Sequence, residues 1–297
     1  MSVPTAQATQ VETNTWTGSG IGRFNEDYAL LSTEQACGVL VDGATGLTKV
    51  NLVAGESDAA WYARTLCKET MSRLGEPGAG MSGALLSAGA AAAEAYRAIP
   101  GATELEHIDE PNGSVCLLRW QGSKVEVGLL GDCTAVVGLV DGSCLTLHDD
   151  TLSKLDDQNY ERMYAYAIER NTTMAAARKA LNPRFIENRL KMNEPGGYWA
   201  ADLTCKGFEH TDVHSFAAQE VAWLFACTDG YENAVAMGVV RSPEELALRV
   251  AAGEGKLLGE ELRKAEQLDA DCWRVHRSKT SDDATYVFVR LSPCATC

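Results

Sequence analysis

Positive charge is scarce in this 297-residue chain: 26 lysines and arginines face 41 aspartates and glutamates, a net charge of −15. There is no basic stripe of the kind that follows a phosphate backbone, which argues against a nucleic-acid partner. Long apolar runs are also missing. The most apolar stretch, residues 82–99, is alanine-rich and broken by Glu94 and Arg97, too short and too polar to span a bilayer. No basic or apolar leader opens the sequence at MSVPTAQATQ, so no membrane partner and a cytoplasmic location are expected. Histidine numbers only five. His210 and His214 stand four apart with no third ligand at zinc spacing, so a surface pair is expected rather than a zinc site. The ten cysteines fall mostly singly on predicted strands and helices and read as buried reduced thiols. Cys294 and Cys297 form a terminal C-x-x-C with no second pair and no βαβ context, and are read as a tail feature.

Hydrophobic residues make up 45% and charged residues 23%, which places the chain among globular rather than disordered proteins. "DYALLST" and "ACGVLVD" read as two short strands across a polar turn. A helix follows, with Ser57 as its cap and Ala59, Ala63, Leu66, Cys67 and Leu74 on one face. A second, alanine-rich helix ends before Pro100. Strands return at "GSVCLLRWQG", "SKVEVGLLGD" and "TAVVGLVDG", with hairpin turns at Gln121-Gly122 and Asp141-Gly142. Residues 149–200 are polar and helical in pattern and read as an inserted subdomain or lid. "EVAWLFACTDG" is apolar on both faces, as a buried central strand is. "RSPEELALRV" opens a helix with Ser242 as cap, Pro243 in its first turn and Glu245 closing a capping box. "ATYVFVRL" is the last strand. This segregated order predicts an α+β layered fold rather than a doubly wound parallel sheet. Gly18, Gly20 and Gly22 precede a strand instead of following one, so they are not a dinucleotide loop.

The acids fall at strand mouths. Glu26 and Asp27 begin a strand, Asp42, Asp132 and Asp229 end strands, and Asp282 and Asp283 begin the last one. If these strands are neighbours, the carboxylates converge at one sheet edge and repel one another unless cations compensate them. All-oxygen ligation selects Mg²⁺, Mn²⁺ or Ca²⁺ and disfavours zinc. No D-x-D-x-D-G loop is present, which excludes an EF-hand, and acids scattered over a scaffold suit a catalytic two-metal site.

The segments "GxGRFNEDY", "VLVDGATG", "GSVCLLRW…VEVGLLGDCTAVV", "WLFACTDGYENA" and "SDDATYVFV" resemble, in order and approximate spacing, the motifs of the metal-dependent protein phosphatases, the type 2C serine/threonine phosphatases. The resemblance spans roughly residues 16–291. It implies an αββα sandwich of two central antiparallel sheets flanked by helices, and a binuclear Mn²⁺ or Mg²⁺ centre. Asp42 would bridge the two metals and Gly43 would offer its carbonyl to one. Asp229 and Asp282 would bind the other. Glu26 and Asp27 would hold metal-bound waters, and Arg23 would grip the substrate phosphate. Asp132, with Asp229, would bind a weaker third metal. The implied substrate is a phosphorylated protein. A flexible N-terminus over residues 1–15, a single catalytic domain over 16–291 with a variable flap at about 149–200, and a tail at 292–297 complete the expected organisation.

Three departures from the family pattern stand out. Asp283 occupies a position where the family usually has Asn, and is expected to support the site from behind. Ala44 stands where many eukaryotic members carry a histidine proposed to protonate the leaving oxygen. His148, Asp149 and Asp150 reverse the family's Asp-His order, and an exposed strand end is expected there. Two other readings share the fold: an inactive phosphatase-like binding protein, and a phosphatase for a small phosphorylated metabolite. The first usually loses a metal-binding Asp, whereas Asp42, Asp229 and Asp282 are all present.

Overall fold

The computed structural model describes residues 8–17, 24–47, 50–76 and 78–291, the first of these segments by its backbone course. Apolar residues at alternate positions build two antiparallel sheets. Strands β2 (Asp27–Ser32), β3 (Cys37–Ala44), β4 (Asn112–Gln121), β5 (Lys124–Leu130) and β8 (Asp212–Ala217) lie side by side in that order. The second sheet runs β1 (Ala8–Thr17), β10 (Asp283–Leu291), β9 (Val221–Cys227), β6 (Thr134–Leu139) and β7 (Cys144–Leu147).

The period of two along each strand assigns every side chain to one of two layers. On β3, Leu40 points between the sheets and meets Leu118, Val127, Leu224, Ala226, Val287 and Val289. Its neighbours Val39 and Val41 point outward. There they pack under α1 (Asp58–Leu74) and α2 (Met81–Arg97) through Tyr62, Leu66, Leu85, Ala88 and Ala92. The central strand β9 is buried on both faces, as its unbroken apolar run predicts. Leu224 and Ala226 face the other sheet, while Trp223 and Phe225 meet α6 (Asp229–Ala236), α7 (Pro243–Ala251) and α8 (Gly255–Leu268) through Tyr231, Leu246, Val250, Leu258 and Leu262. The result is the expected four-layer αββα sandwich.

The caps follow the sequence closely. Ser57 Oγ accepts from Ala60 N at 3.1 Å and Ser242 Oγ from Glu245 N at 3.2 Å. Glu245 reaches one residue further back than a capping box requires, accepting from Arg241 N at 2.8 Å.

Several features differ from expectation. Residues 8–15, expected to be flexible, form most of β1, paired along β10. β7 completes the hairpin that the Asp141-Gly142 turn predicts, whereas the short strand β8 carries no strong alternation and was not foreseen. His214 lies on β8, paired with Asp212 at 2.9 Å, and His210 stacks on Trp199, so the two share no helix face. Three helices, α3 (Thr151–Glu169), α4 (Met174–Ala180) and α5 (Asn182–Arg189), occupy the polar segment after β7. Among the described residues no helix is long and apolar enough to cross a membrane.

The inter-sheet layer admits a direct test. Leu224 is fully buried there, and Leu224→Ala should cost about 2–5 kcal/mol of unfolding free energy. Chemical denaturation of the two proteins checks this; a loss of under about 1 kcal/mol would mean that the layer collapses around the gap.

Candidate active site

Strand register brings the acids together. Asp27 and Asp42 are cross-strand partners at one end of the β2–β3 pair. Asp132 follows β5 at the same end of that sheet, where its carboxylate accepts from Ser114 Oγ on β4 at 2.6 Å. In the other sheet Asp229 follows β9 as the first residue of α6, and Asp282 immediately precedes β10. A carboxylate in the first turn of a helix is favoured by the exposed N–H groups there.

Two bonds clamp the sheets at this edge. Thr228 Oγ1 donates to Asp27 Oδ2 at 2.9 Å, and Glu26 N donates to Asp283 Oδ2 at 2.8 Å. Asp283 thus supports the site from behind by holding the Glu26 backbone. Glu26 itself receives a hydrogen bond from Thr45 Oγ1. The glycines beside two of the acids serve close packing rather than turns. A Cβ on Gly43 would lie 2.5 Å from the Glu26 carbonyl, and one on Gly230 would lie 1.8 Å from the Asp283 carbonyl.

Crowded carboxylates resist ionisation. Burial, then the charges of Asp282 and Asp283, pushes Asp27 up to about 7, against the nearby hydroxyls of Thr285 and Thr228. Burial, then Asp27, Asp229, Asp132 and Asp282, raises Asp42 well above the ordinary carboxylate range. Asp229 is solvent-exposed on the cleft side yet crowded by protein behind it. That crowding, then Asp282 and Asp132, raises it as well. Burial also raises Asp132, opposed by Ser114.

Among the described residues, no three carboxylate, imidazole or thiolate groups form a ready cage for one ion. Lys279 brings a compensating charge, its Nζ 2.5 Å from Asp282 Oδ1. The donor set nevertheless fits a hard dication. It is all oxygen, and it carries more negative charge than nearby cations balance.

Of the sequence-predicted site residues, Glu26, Asp27, Asp42, Gly43, Asp132, Asp229 and Asp282 all lie at this edge. Arg23 lies outside the described residues, as do Gly18, Gly20, Gly22, Cys294 and Cys297. Asp150 precedes α3 and pairs with Lys154 at 2.6 Å, and the Asp149 carboxylate accepts from Thr151 N, so both serve a helix start rather than the site.

Sequence reasoning missed the residues that α3 adds. Burial, then the charge of Asp132, pushes Asp156 up to about 7, against Arg189 and Arg178. Tyr160 lies one turn on, and burial, then the charges of Asp156, Asp229 and Asp282, raises its phenol. Their i, i+4 spacing was visible, but its direction toward the acids was not. Sequence reasoning also passed over the Cys-x₅-Arg spacing of Cys67 and Arg73, which matches a cysteine-phosphatase signature. The structure excludes that role. Cys67 is buried inside α1 with its thiol pushed up by burial, and Arg73 turns to Glu69 at 2.5 Å.

No family model matches the sequence, and no curated protein matches it. Solved structures do match in fold. PppA of Pseudomonas aeruginosa, described as a key regulatory component of T6SS, superposes with a TM-score of 0.58 at 14% identity, covering 97% of this chain and all of that one. Staphylococcus aureus serine/threonine phosphatase Stp1 gives 0.57 at 13%, covering 98% and 99%. The catalytic domain of serine/threonine phosphatase PstP, in complex with two manganese ions, gives 0.52 at 15%, covering 95% and 97%. The chain therefore has the fold of the PPM-type serine/threonine phosphatases.

The raised carboxyls set a pH dependence. Asp27 and Asp156 have ordinary values of 3.8 and sit near 7 when folded, so the folded state keeps protons that the unfolded chain releases. Their favourable contribution is complete below the ordinary value and is lost as pH rises through the folded one. In chelator, the melting temperature should fall as pH rises from about 5 to about 8, and Asp27→Asn should flatten the fall. A melting temperature that climbs across this window in the wild type would contradict the assignment.

Proposed function

We propose that this protein is a metal-dependent phosphatase that hydrolyses phosphoserine and phosphothreonine monoesters in proteins. The observation that carries the reading is the convergence of Asp27, Asp42, Asp132, Asp229 and Asp282 on one edge shared by two sheets, with ionisation resisted there. Such a cluster disfavours its own charged form and is relieved by hard cations.

Asp42, Asp229 and Asp282, with the Gly43 carbonyl, would hold two Mn²⁺ or Mg²⁺ ions, and Asp132 with Asp229 a weaker third. Bound there, the ions supply Lewis acidity and water activated for attack on phosphorus. The chain contributes the rest. Glu26 and Asp27 orient water from the β2 side, where Thr45 and Thr228 fix their carboxylates. Arg23 offers a planar fork for the equatorial phosphate oxygens. No protein nucleophile is required. The segment carrying α3 acts as a flap whose Asp156 and Tyr160 face the cleft and shape what enters it.

Hydrolysis of an aryl phosphate and of a phosphothreonine peptide, measured with and without Mn²⁺, tests the reading. Activity should vanish in EDTA and return with Mn²⁺ or Mg²⁺. Asp42→Asn and Asp229→Asn should abolish turnover while chelated stability holds or rises, because each substitution relieves repulsion. Activity that survives chelation would sink the metal mechanism. A well-folded protein inactive on every phosphoester, with its metal bound, would favour a binding role. Turnover confined to small phosphates would favour a metabolite phosphatase.

Ala44 ends β3 and carries no proton donor. An alkoxide leaving group benefits more from a general acid than an aryl oxide does, and such an acid is typically worth about 10²–10⁴ in rate. The wild type should therefore prefer aryl phosphates over phosphothreonine peptides, and Ala44→His should narrow the gap. Equal rates on both, with chemistry rate-limiting, would mean that another donor serves.

A further inference from the structure

Lys279 is a cation placed among the acids that the proposed metals would occupy. Its ammonium lies 2.5 Å from Asp282 Oδ1. Burial works against that charge, yet Asp282, Asp229 and Asp42 together outweigh it and raise the ammonium above its usual range.

The loop that carries it is rigidly built. The Arg277 guanidinium binds Asp269 Oδ2 at 2.6 Å, the Asp269 carbonyl at 2.7 Å and the Val275 carbonyl at 2.9 Å. Arg263 from α8 holds the Asp282 carbonyl at 2.5 Å. Lys279 therefore reaches the acids from a fixed backbone. Its side chain is 43% exposed, so water meets the ammonium when it leaves Asp282.

We propose that Lys279 is a built-in counter-cation of the acid cluster, one that a divalent ion must displace from Asp282 to load that side of the site. The inference rests on the metal-binding reading of the same acids. Asp282 offers its carboxylate either to the ammonium or to the dication. Coulomb repulsion between an ammonium and a dication at one carboxylate makes the two exclusive at close range. Among the described residues no lysine or arginine pairs with the acids on β2 and β3, and Lys279 reaches Asp42 through its field alone. Loading of the two main ions should therefore be stepwise, with the Asp229/Asp282 side filling second. In the metal-free chain the same ammonium offsets repulsion that would otherwise loosen the joint between the sheets.

The two roles give opposite signs for one substitution. Mn²⁺ binding is followed by titration calorimetry on chelator-stripped protein, with melting temperature recorded in EDTA. Lys279→Met should tighten the weaker of the two main Mn²⁺ steps by about five- to tenfold and lower the metal-free melting temperature. Lys279→Arg should keep the wild-type pattern in both measurements. Unchanged or weaker Mn²⁺ binding in Lys279→Met, beside normal binding in the wild type, would overturn this inference and leave the metal reading standing. No Mn²⁺ binding by either protein would overturn both.

Discussion

Like charges held at a shared rim constrain everything around them. Two sheets end on the same edge, and each delivers carboxylates there, from β2, β3 and the end of β5 on one side and from the flanks of β9 and β10 on the other. Left alone, such a cluster pushes the sheets apart at the point where they must meet. The surrounding structure answers with the Thr228–Asp27 and Glu26–Asp283 bonds across the joint and with the Lys279 ammonium. None of these is an optimal stabilising interaction. A core of apolar residues at the same place would be more favourable, since buried charge is costly even when paired. The inter-sheet layer of Leu40, Leu118, Leu224 and Val287 supplies the cohesion that lets this rim persist.

Much of this was readable beforehand, for physical reasons. The double-sided burial of β9 follows from an unbroken apolar run, the helix starts from Ser57 and Ser242, and the convergence of acids from their places at strand mouths. What escaped was whatever depends on partners distant in sequence. β8 lacks alternation because both its faces are partly wet, so nothing in its composition marks it as a strand. β1 follows from pairing with β10, almost the full chain length away. Asp156, Tyr160 and Lys279 escaped because a charged residue on a polar helix or loop looks solvated until the tertiary structure turns it inward. The Cys67–Arg73 spacing shows the reverse case, in which a pattern exists and the fold withdraws its meaning by burying the thiol.

The helices after β7 join the site through a seam of their own. Tyr164 on α3 stacks on His276 at 4.0 Å and meets the edge of Trp273 at 5.6 Å, while Glu161 pairs with His276 at 2.9 Å. This seam fastens α3 to the loop that also carries Lys279 and leads into Asp282. The segment over the cleft and the acid beneath it therefore share one support, and a shift of either is felt by the other.

Thr228 has a wider mechanical role than its single hydroxyl suggests. Its N–H donates to the Thr285 carbonyl at 3.0 Å, its Oγ1 accepts from Thr285 N at 3.1 Å, and the same oxygen donates to Asp27 in the opposite sheet. One side chain thus registers three strands at once. Any sliding of one sheet over the other is converted at this threonine into a displacement of Asp27 relative to Asp229. The sandwich is in effect a pair of jaws, and the thickness of its inner apolar layer sets their gap. Substitutions deep in that layer, far from any carboxylate, act on the spacing of the reacting groups through geometry alone.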